Sequence, residues 1–230
     1  MLDPVVFLPG LLCDATLWHA QVDRLADRVA PMVADLTLDA SVADMARRTL
    51  AAAPPTFALA GLSMGGYVAF EIMRQAPERV TRLALLDTSA APDTDDRARD
   101  RRAAIESLTL GRFLGVTDRL LPQLVHARHL DGPVAEQVKA MAARVGGSAF
   151  IRQQQAILGR PDSRPMLGAI TVPTLVAVGD ADVLTPPEDS DEIHAGIPGA
   201  ALHVFADCGH LPALEQPEET ARLLRDWLDA

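Results

Sequence analysis

Phe57-Ala58-Leu59-Ala60-Gly61-Leu62-Ser63-Met64-Gly65-Gly66 is the stretch around which the chain is organised. It opens on an apolar run, and a helical pattern begins near Met64, so a strand turns into a helix within a few residues. Such a reversal tolerates no bulk beside the backbone, which accounts for glycines on both sides of the serine and pushes the serine side chain out at the tip of the turn. At this glycine and serine content, Gly-x-Ser-x-Gly arises by accident roughly 0.03 times in a chain of this length. The pentapeptide alone also fits a tight structural turn; the strand before it and the helix after it supply the setting that a nucleophile needs.

With 230 residues and a hydrophobic fraction of 49%, the chain can bury one large core and still carry an insertion. No stretch approaches the roughly 18 uninterrupted apolar residues of a membrane span, and the N-terminus lacks a basic segment followed by an apolar one. A cytoplasmic protein is therefore expected. The formal net charge of -10 repels phosphate backbones and anionic lipid, so neither nucleic acid nor a membrane is an expected partner. Cys13 and Cys208 read as free thiols of a reduced compartment, and without C-x-x-C spacing they support no zinc or redox motif. His126 and His129, with Asp131 nearby, make a weak metal set, so no metal and no cofactor is expected. Of the 21 basic residues only Lys139 is lysine, a bias ascribed to genomic base composition.

Val5-Val6-Phe7-Leu8, closed by Pro9-Gly10, reads as a first strand buried on both faces. Asp14 can cap a helix whose apolar positions are Trp18, Val22, Leu25 and Val29. A second strand over 29–34 contains Pro31, which cannot donate to a ladder and so belongs at a sheet edge. Ser41-Val42-Ala43-Asp44 has the form of a capping box, and Val42, Met45, Ala46, Thr49 and Leu50 make one face of the next helix. After the serine turn, Val68, Ile72 and Met73 point inward from its helix, and Arg82-Leu83-Ala84-Leu85-Leu86 is another strand. Strict alternation of strand and helix calls for a parallel sheet covered on both faces.

From 92 to 168 the alternation stops. This block holds charged and helical segments, over 97–108 and 134–145, and no convincing strand, so a helical lid inserted between core segments 1–91 and 169–230 is expected. Alternation resumes with Thr174-Leu175-Val176-Ala177-Val178, a helix over 187–195 with Gly196 past its end, Leu202-His203-Val204-Phe205, and a last helix over 217–228.

In an open parallel sheet, ligands bind beyond the carboxyl ends of the strands. The segments found there are Pro9-Gly10-Leu11, Ser63, Gly179-Asp180-Ala181-Asp182 and Asp207-Cys208-Gly209-His210. A hydroxyl nucleophile, a carboxylate and an imidazole thus fall on one edge in the order serine, acid, histidine. Position alone leaves Asp180 and Asp182 open as the acid, with Asp87 as a rival beside the nucleophile strand.

On these motifs, together with Val183-Leu184-Thr185-Pro186, Leu211-Pro212 and Glu215-Gln216-Pro217-Glu218, the chain resembles the α/β-hydrolase family over nearly its whole length. The nearest branch is that of small esterases, enol-lactonases and carbon-carbon bond hydrolases. The resemblance implies Ser63 as nucleophile, His210 as general base, Asp182 as its orienting acid, and the backbone N–H groups of Leu11 and Met64 as oxyanion hole. Two departures stand out. Pro9-Gly10 replaces a frequent His-Gly, and the chain starts at the strand that usually comes third, so a sheet of about six parallel strands is expected with 29–34 at its edge. The implied function is a serine hydrolase acting on a small carboxylic ester, thioester or lactone with an apolar acyl or ring group. The alternatives are a carbon-carbon bond hydrolase or cofactor-free perhydrolase on the same triad, and a non-catalytic binding protein. Phe113, Leu114, Leu120, Leu121, Leu124 and Phe150 are expected to line a pocket or hold the lid, whereas Trp18, Tyr67, His19, His194 and His203 read as core or solvated positions.

Overall fold

Six strands, β1 (Asp3–Leu8), β2 (Val29–Val33), β3 (Phe57–Leu62), β4 (Val80–Leu86), β5 (Thr174–Gly179) and β6 (Ala201–Phe205), carry the runs of Val, Leu and Ala. The helices are α1 (His19–Arg24), α2 (Val42–Ala52), α3 (Met64–Gln75), α4 (Asp95–Leu110), α5 (Pro133–Leu158), α6 (Pro187–Gly196), α7 (Pro212–Glu215) and α8 (Pro217–Asp229). In the computed structural model, which describes residues 2–111 and 113–230, the strands form one sheet in the order β2-β1-β3-β4-β5-β6. Every neighbouring pair is parallel. All residues of β3 and β5 are buried, as a parallel sheet covered on both faces requires.

The two-residue period of the strands divides the interior. Val5 and Phe7 of β1 join Ala58, Ala60 and Leu62 of β3 in one core, beneath Leu224, Trp227 and Leu228 of α8. Val6 and Leu8 join Phe57 and Leu59 in the other, packed by Met45 of α2, Val68 and Ile72 of α3 and Ile193 of α6. β2 pairs with β1 alone, and Pro31 sits in it opposite Val5, so the missing donor falls on the open edge. Among the described residues no helix is long and apolar enough to cross a membrane.

The chain leaves β1 toward β2 on one side and returns to β3 on the other, which makes the junction of β1 and β3 the topological switch of the sheet. Leu8 and Gly61 are in register across it, so the loops carrying Leu11 and Ser63 emerge side by side.

Three local details differ from the sequence reading. Asp14 caps a short 3-10 turn, Ala15–Trp18, by accepting from Thr16 N at 2.9 Å, and the helix proper ends at Arg24 because Val29 is already paired in β2. The helix expected over 134–145 continues to Leu158 through a break at Gly146, whose φ of 76° is one that glycine accepts without steric cost. Gly196 is the last residue of α6; a Cβ there would lie 2.6 Å from Leu167, so close packing is what demands glycine.

The connection between β4 and β5 contains α4, two 3-10 turns at Leu121–Gln123 and Ala127–His129, α5, and a 3-10 segment at Arg164–Ala169. Thr94 caps α4, its hydroxyl accepting from Arg97 N at 3.3 Å.

Helix α3 approaches β1 so closely that a Cβ on Gly65 would lie 2.2 Å from the carbonyl oxygen of Leu8. Gly65→Ala is therefore expected to destabilise the fold by about 3 kcal/mol in urea unfolding, through forced backbone displacement. Gly168→Ala, where nothing lies within 4 Å, should change stability by less than about 0.5 kcal/mol.

Candidate active site

Ser63 takes a left-handed backbone, φ 55° and ψ -117°, between the last residue of β3 and the first of α3. A side chain in this region is strained, by about 1–3 kcal/mol, and its neighbours must hold it there. Ser63 N donates to Leu86 O at 3.0 Å, and Ser63 O accepts from Gly66 N at 2.8 Å and from the Thr88 hydroxyl at 2.8 Å. Glycine at 61 completes the turn, since a Cβ there would meet Gly65 O at 2.6 Å.

The serine hydroxyl so exposed lies 2.8 Å from Nε2 of His210, and Nδ1 of the same ring lies 2.7 Å from Oδ2 of Asp182. Asp182 follows β5 in a turn that ties down both its oxygens. Oδ1 accepts from Leu184 N at 2.8 Å and Thr185 N at 3.2 Å, while Oδ2 also accepts from the Thr185 hydroxyl at 2.7 Å. Burial alone would push this carboxyl up; His210, Thr185 and the Leu184 N–H outweigh it and hold Asp182 below its ordinary pKa. Asp180, the other acid after β5, instead accepts from Asp207 N and Cys208 N, fastening one loop to the next away from the imidazole.

The His210 loop hangs on a buried carboxylate. Glu215 Oε1 accepts from Leu211 N at 3.1 Å, and Oε2 accepts from Gly209 N at 3.1 Å and His126 N at 2.7 Å. His210 N itself donates to Leu124 O at 3.2 Å, so the block between β4 and β5 helps to seat the imidazole. On the other side of the serine, Leu12, also left-handed at φ 60°, donates its N–H to Oε1 of the fully buried Gln153 at 3.1 Å. Gln153 Nε2 donates to Leu36 O, so one side chain of α5 fixes the loop that presents Leu11. Glu215 and Thr185 lie inside motifs visible in the sequence, but no sequence signal singles out Gln153.

Ser63, His210, Gly10 and Leu11 border a cavity of about 410 Å³. Val116, Leu120, Leu124, Val138 and Met141 give it an apolar side, and Arg97, Asp100, Arg101 and Gln154 a polar one. The apolar ceiling expected from the sequence is thus only part of the enclosure, because the face that α4 turns inward carries charge. Of the apolar residues singled out, Leu120, Leu124 and Phe150 line the cavity, Leu121 is buried, Phe113 packs on Phe150 at 5.9 Å, and Leu114 is exposed. Tyr67, read as core, is buried but also borders the cavity, with the Arg160 guanidinium 4.2 Å above its ring. Trp18 packs in the core on Phe7 at 5.1 Å.

Residues 5–223 match the sequence profile of the Alpha/beta hydrolase family. The chain belongs to that family. Among its relatives, the pimeloyl-[acyl-carrier protein] methyl ester esterase of Nitrosomonas europaea is 28% identical over 234 residues, covering 94% of this chain and 91% of that protein. The enzyme of the same name from Neisseria meningitidis serogroup A is 28% identical over 178 residues; that match covers 74% of this chain and only 56% of the longer relative. A thermophilic esterase from Thermogutta terrifontis has a solved structure that superposes with a TM-score of 0.88 at 30% identity, covering 99% of this chain and 89% of that one. The enol-lactonase of Burkholderia xenovorans LB400, at 21% identity and a TM-score of 0.84 over 100% of this chain and 92% of its own, shares the fold.

Other groups singled out in the sequence of this α/β-hydrolase lie outside the hydrogen-bonded path from Ser63 to Asp182. Burial pushes the Cys13 thiol up to about 12, with Asp14 adding to the effect, and raises Cys208 further still, so both stay protonated at neutral pH. His126 Nδ1 accepts from Arg128 N, and the Arg128 side chain contacts His129. His203 lies edge-on to Phe205, His194 is half-buried and His19 is exposed.

Asp87, the rival acid in the sequence, is not the carboxyl hydrogen-bonded to His210. It ends β4 with a left-handed backbone, φ 44°, is fully buried, and accepts from Gly179 N at 2.9 Å. Ligand atoms of Asp87, Asp182 and His210 all fall within 4.8 Å of one another. Burial, then the charge of Asp182, holds the Asp87 carboxyl well above the usual range, so it stays neutral while Asp182 is ionised. A raised acid keeps its proton in the folded state where the unfolded chain has released it, so this group costs stability progressively as pH rises above about 4. Asp87→Asn removes that cost. In urea unfolding, the variant is expected to gain on the parent by about 1.4 kcal/mol for each pH unit above 4, up to the folded-state pKa of Asp87. An advantage that instead grows toward acid pH would mean that Asp87 is the ionised member of the pair.

Proposed function

We propose that the chain is a serine hydrolase that cleaves a small carboxylic ester, thioester or lactone through an acyl-enzyme on Ser63. The observation that carries this reading is the continuous path from Ser63 Oγ through both nitrogens of His210 to Asp182, with links of 2.8 and 2.7 Å, at the base of a cavity. Names of relatives as esterases support the ester class. An intact path of this kind also favours catalysis over a binding role, which has no use for it.

Serine is a weak nucleophile at neutral pH and needs a base within hydrogen-bond reach. His210 Nε2 takes the hydroxyl proton as Ser63 Oγ bonds to the carbonyl carbon. Asp182, ionised and acceptor-only, fixes the proton on Nδ1 and stabilises the imidazolium that forms. The carbonyl oxygen becomes an oxyanion, for which Leu11 N–H and Met64 N–H are the donors in this reading. Met64 opens α3, so its N–H has no intrahelical acceptor and points along the positive end of the helix. A donor already in place for the oxyanion contributes about 3 kcal/mol. His210 then hands its proton to the departing alcohol or thiol, and a water activated by the same nitrogen releases the acid.

In the same reading residues 1–91 and 169–230 are the catalytic core, and 92–168 is a lid whose helices roof the serine, exclude bulk water and select the substrate. A carbon-carbon bond hydrolase or a perhydrolase would use the same three residues and is separated by the substrate panel, not by the geometry.

A fluorophosphonate should label Ser63 and no other residue, as read by peptide mapping. Ser63→Ala and Asp182→Asn should each lower kcat by roughly 10⁴-fold with the fold intact, while Asp180→Asn affects stability more than turnover. Labelling elsewhere, or full turnover in Ser63→Ala, would remove the assignment.

A further inference from the structure

The helix that roofs the cavity is built unlike a lid for a wholly apolar ligand. Arg97, Asp100, Arg101 and Ala104 all line the cavity, and their spacing puts them on one stripe of α4. A helix covering a greasy substrate needs a large apolar stripe there; this one offers two guanidinium groups. Charges facing an enclosed space lose hydration unless a partner replaces it.

The partners within the protein do not use up that charge. The Asp93 side chain is buried and serves two arginines at once, Arg101 Nε at 2.7 Å and Arg160 Nη1 at 2.9 Å. Among the described residues Arg97 has no carboxylate within ion-pair distance; its Nη2 donates to the carbonyl of Leu184 at 2.9 Å. Asp100 is exposed, where water screens it; burial pushes the half-buried Asp189 carboxyl up, and the charge of Arg97 opposes that shift. Two guanidinium groups therefore share the Asp93 carboxylate while Arg97 rests on a carbonyl, in a chain whose net charge is -10.

The site is also held in shape. Arg101 is fixed between Asp93 and Oε1 of Gln154, at 2.7 Å each. Gln154, itself buried, has given its acceptor to Arg101, and its amide N–H₂ has no acceptor among the described residues. Arg97 is anchored to the loop that carries Asp182, within the same cavity as Ser63. Planar donors and an amide converging on one wall match an ionised carboxylate.

We propose that this wall is an anion subsite, in which Arg97, Arg101 and Gln154 bind a carboxylate that the substrate carries in addition to the bond cleaved. The inference rests on the ester-hydrolase reading and narrows it: the apolar side of the cavity takes a short hydrocarbon body and the α4 wall takes its charged end.

The test compares kcat/KM for monomethyl esters of dicarboxylic acids of graded length with methyl esters of the matching monocarboxylic acids. A second arm uses acetate esters of hydroxy acids against acetates of the matching alcohols, so that the charge sits on the leaving group. A preference of about ten-fold or more for the charged ester in either arm, weakening with added salt, is expected, and the arm that responds identifies which side bears the anion. Arg97→Gln should reduce that preference by about ten-fold. If Arg97 only clamps α4 to the Asp182 loop, charged and neutral esters fall together and the ratio is unchanged, which overturns the proposal. Equal rates for charged and neutral esters of the parent protein in both arms overturn it without any variant. Should no ester be turned over, the ester reading fails by itself. Calorimetry with adipate and hexanoate on the Ser63→Ala protein then decides the subsite: tighter adipate binding upholds it and equal binding ends it.

Discussion

A single backbone conformation governs this molecule: the left-handed turn at Ser63, which an L-residue adopts only at a cost of about 1–3 kcal/mol. The turn exists because it is held from several directions. Leu86 at the end of the neighbouring strand accepts its N–H, Thr88 donates to its carbonyl, and Gly61 and Gly65 clear the space into which side chains would otherwise project. Those supports come from β1, β3, β4 and α3, so the strain is carried by the packing of the sheet and not by the turn. The topological switch between β1 and β3 then sets the Leu11 loop beside the serine without any further device.

The electrostatics of the site follow a similar division of labour. Three acids, Asp87, Asp182 and Glu215, are buried near the imidazole, and three charges so close together would repel one another at a severe cost. Asp182 stays ionised because the histidine ring, a hydroxyl and backbone N–H groups supply what water would have supplied. Asp87, with one backbone donor and an anion beside it, keeps its proton instead. Glu215 accepts three backbone N–H groups from the two segments it joins, the His210 loop and the turn at His126. Each carboxyl thus has a different task because its surroundings differ.

The block between β4 and β5 is more than a cover. It contributes Gln153 to the Leu12 loop, the Leu124 carbonyl to His210 N, and the arginines of α4 to the cavity wall. Removing or replacing it would disturb the groups around the serine, so this block and the loops that carry Ser63 and His210 form one packed unit. Its helices carry both kinds of surface that a two-ended ligand needs, apolar from α5 and the turns before it, charged from α4.

Much of this was legible in the residues themselves. Apolar runs of four to seven residues closed by Gly, Pro or Asp specify buried parallel strands, Pro31 marks the sheet edge, and the glycines around Ser63 specify a turn that no bulkier backbone could make, so the sheet and the serine, histidine and acid segments can be read locally. Local rules reach no further than a few residues along the chain. They cannot tell Asp180 from Asp182, because both follow the same strand and only the packing of the β5 and β6 loops decides which carboxylate meets His210. They mark Asp87 only as a rival acid, since its proton is retained through burial beside an anion 95 residues away. Nor do they reveal which stripe of the charged helix α4 faces the serine, for a helix charged all round has no amphipathic signal to orient it, and that choice was made by Asp93, Gln154 and Leu184 from three separate parts of the fold.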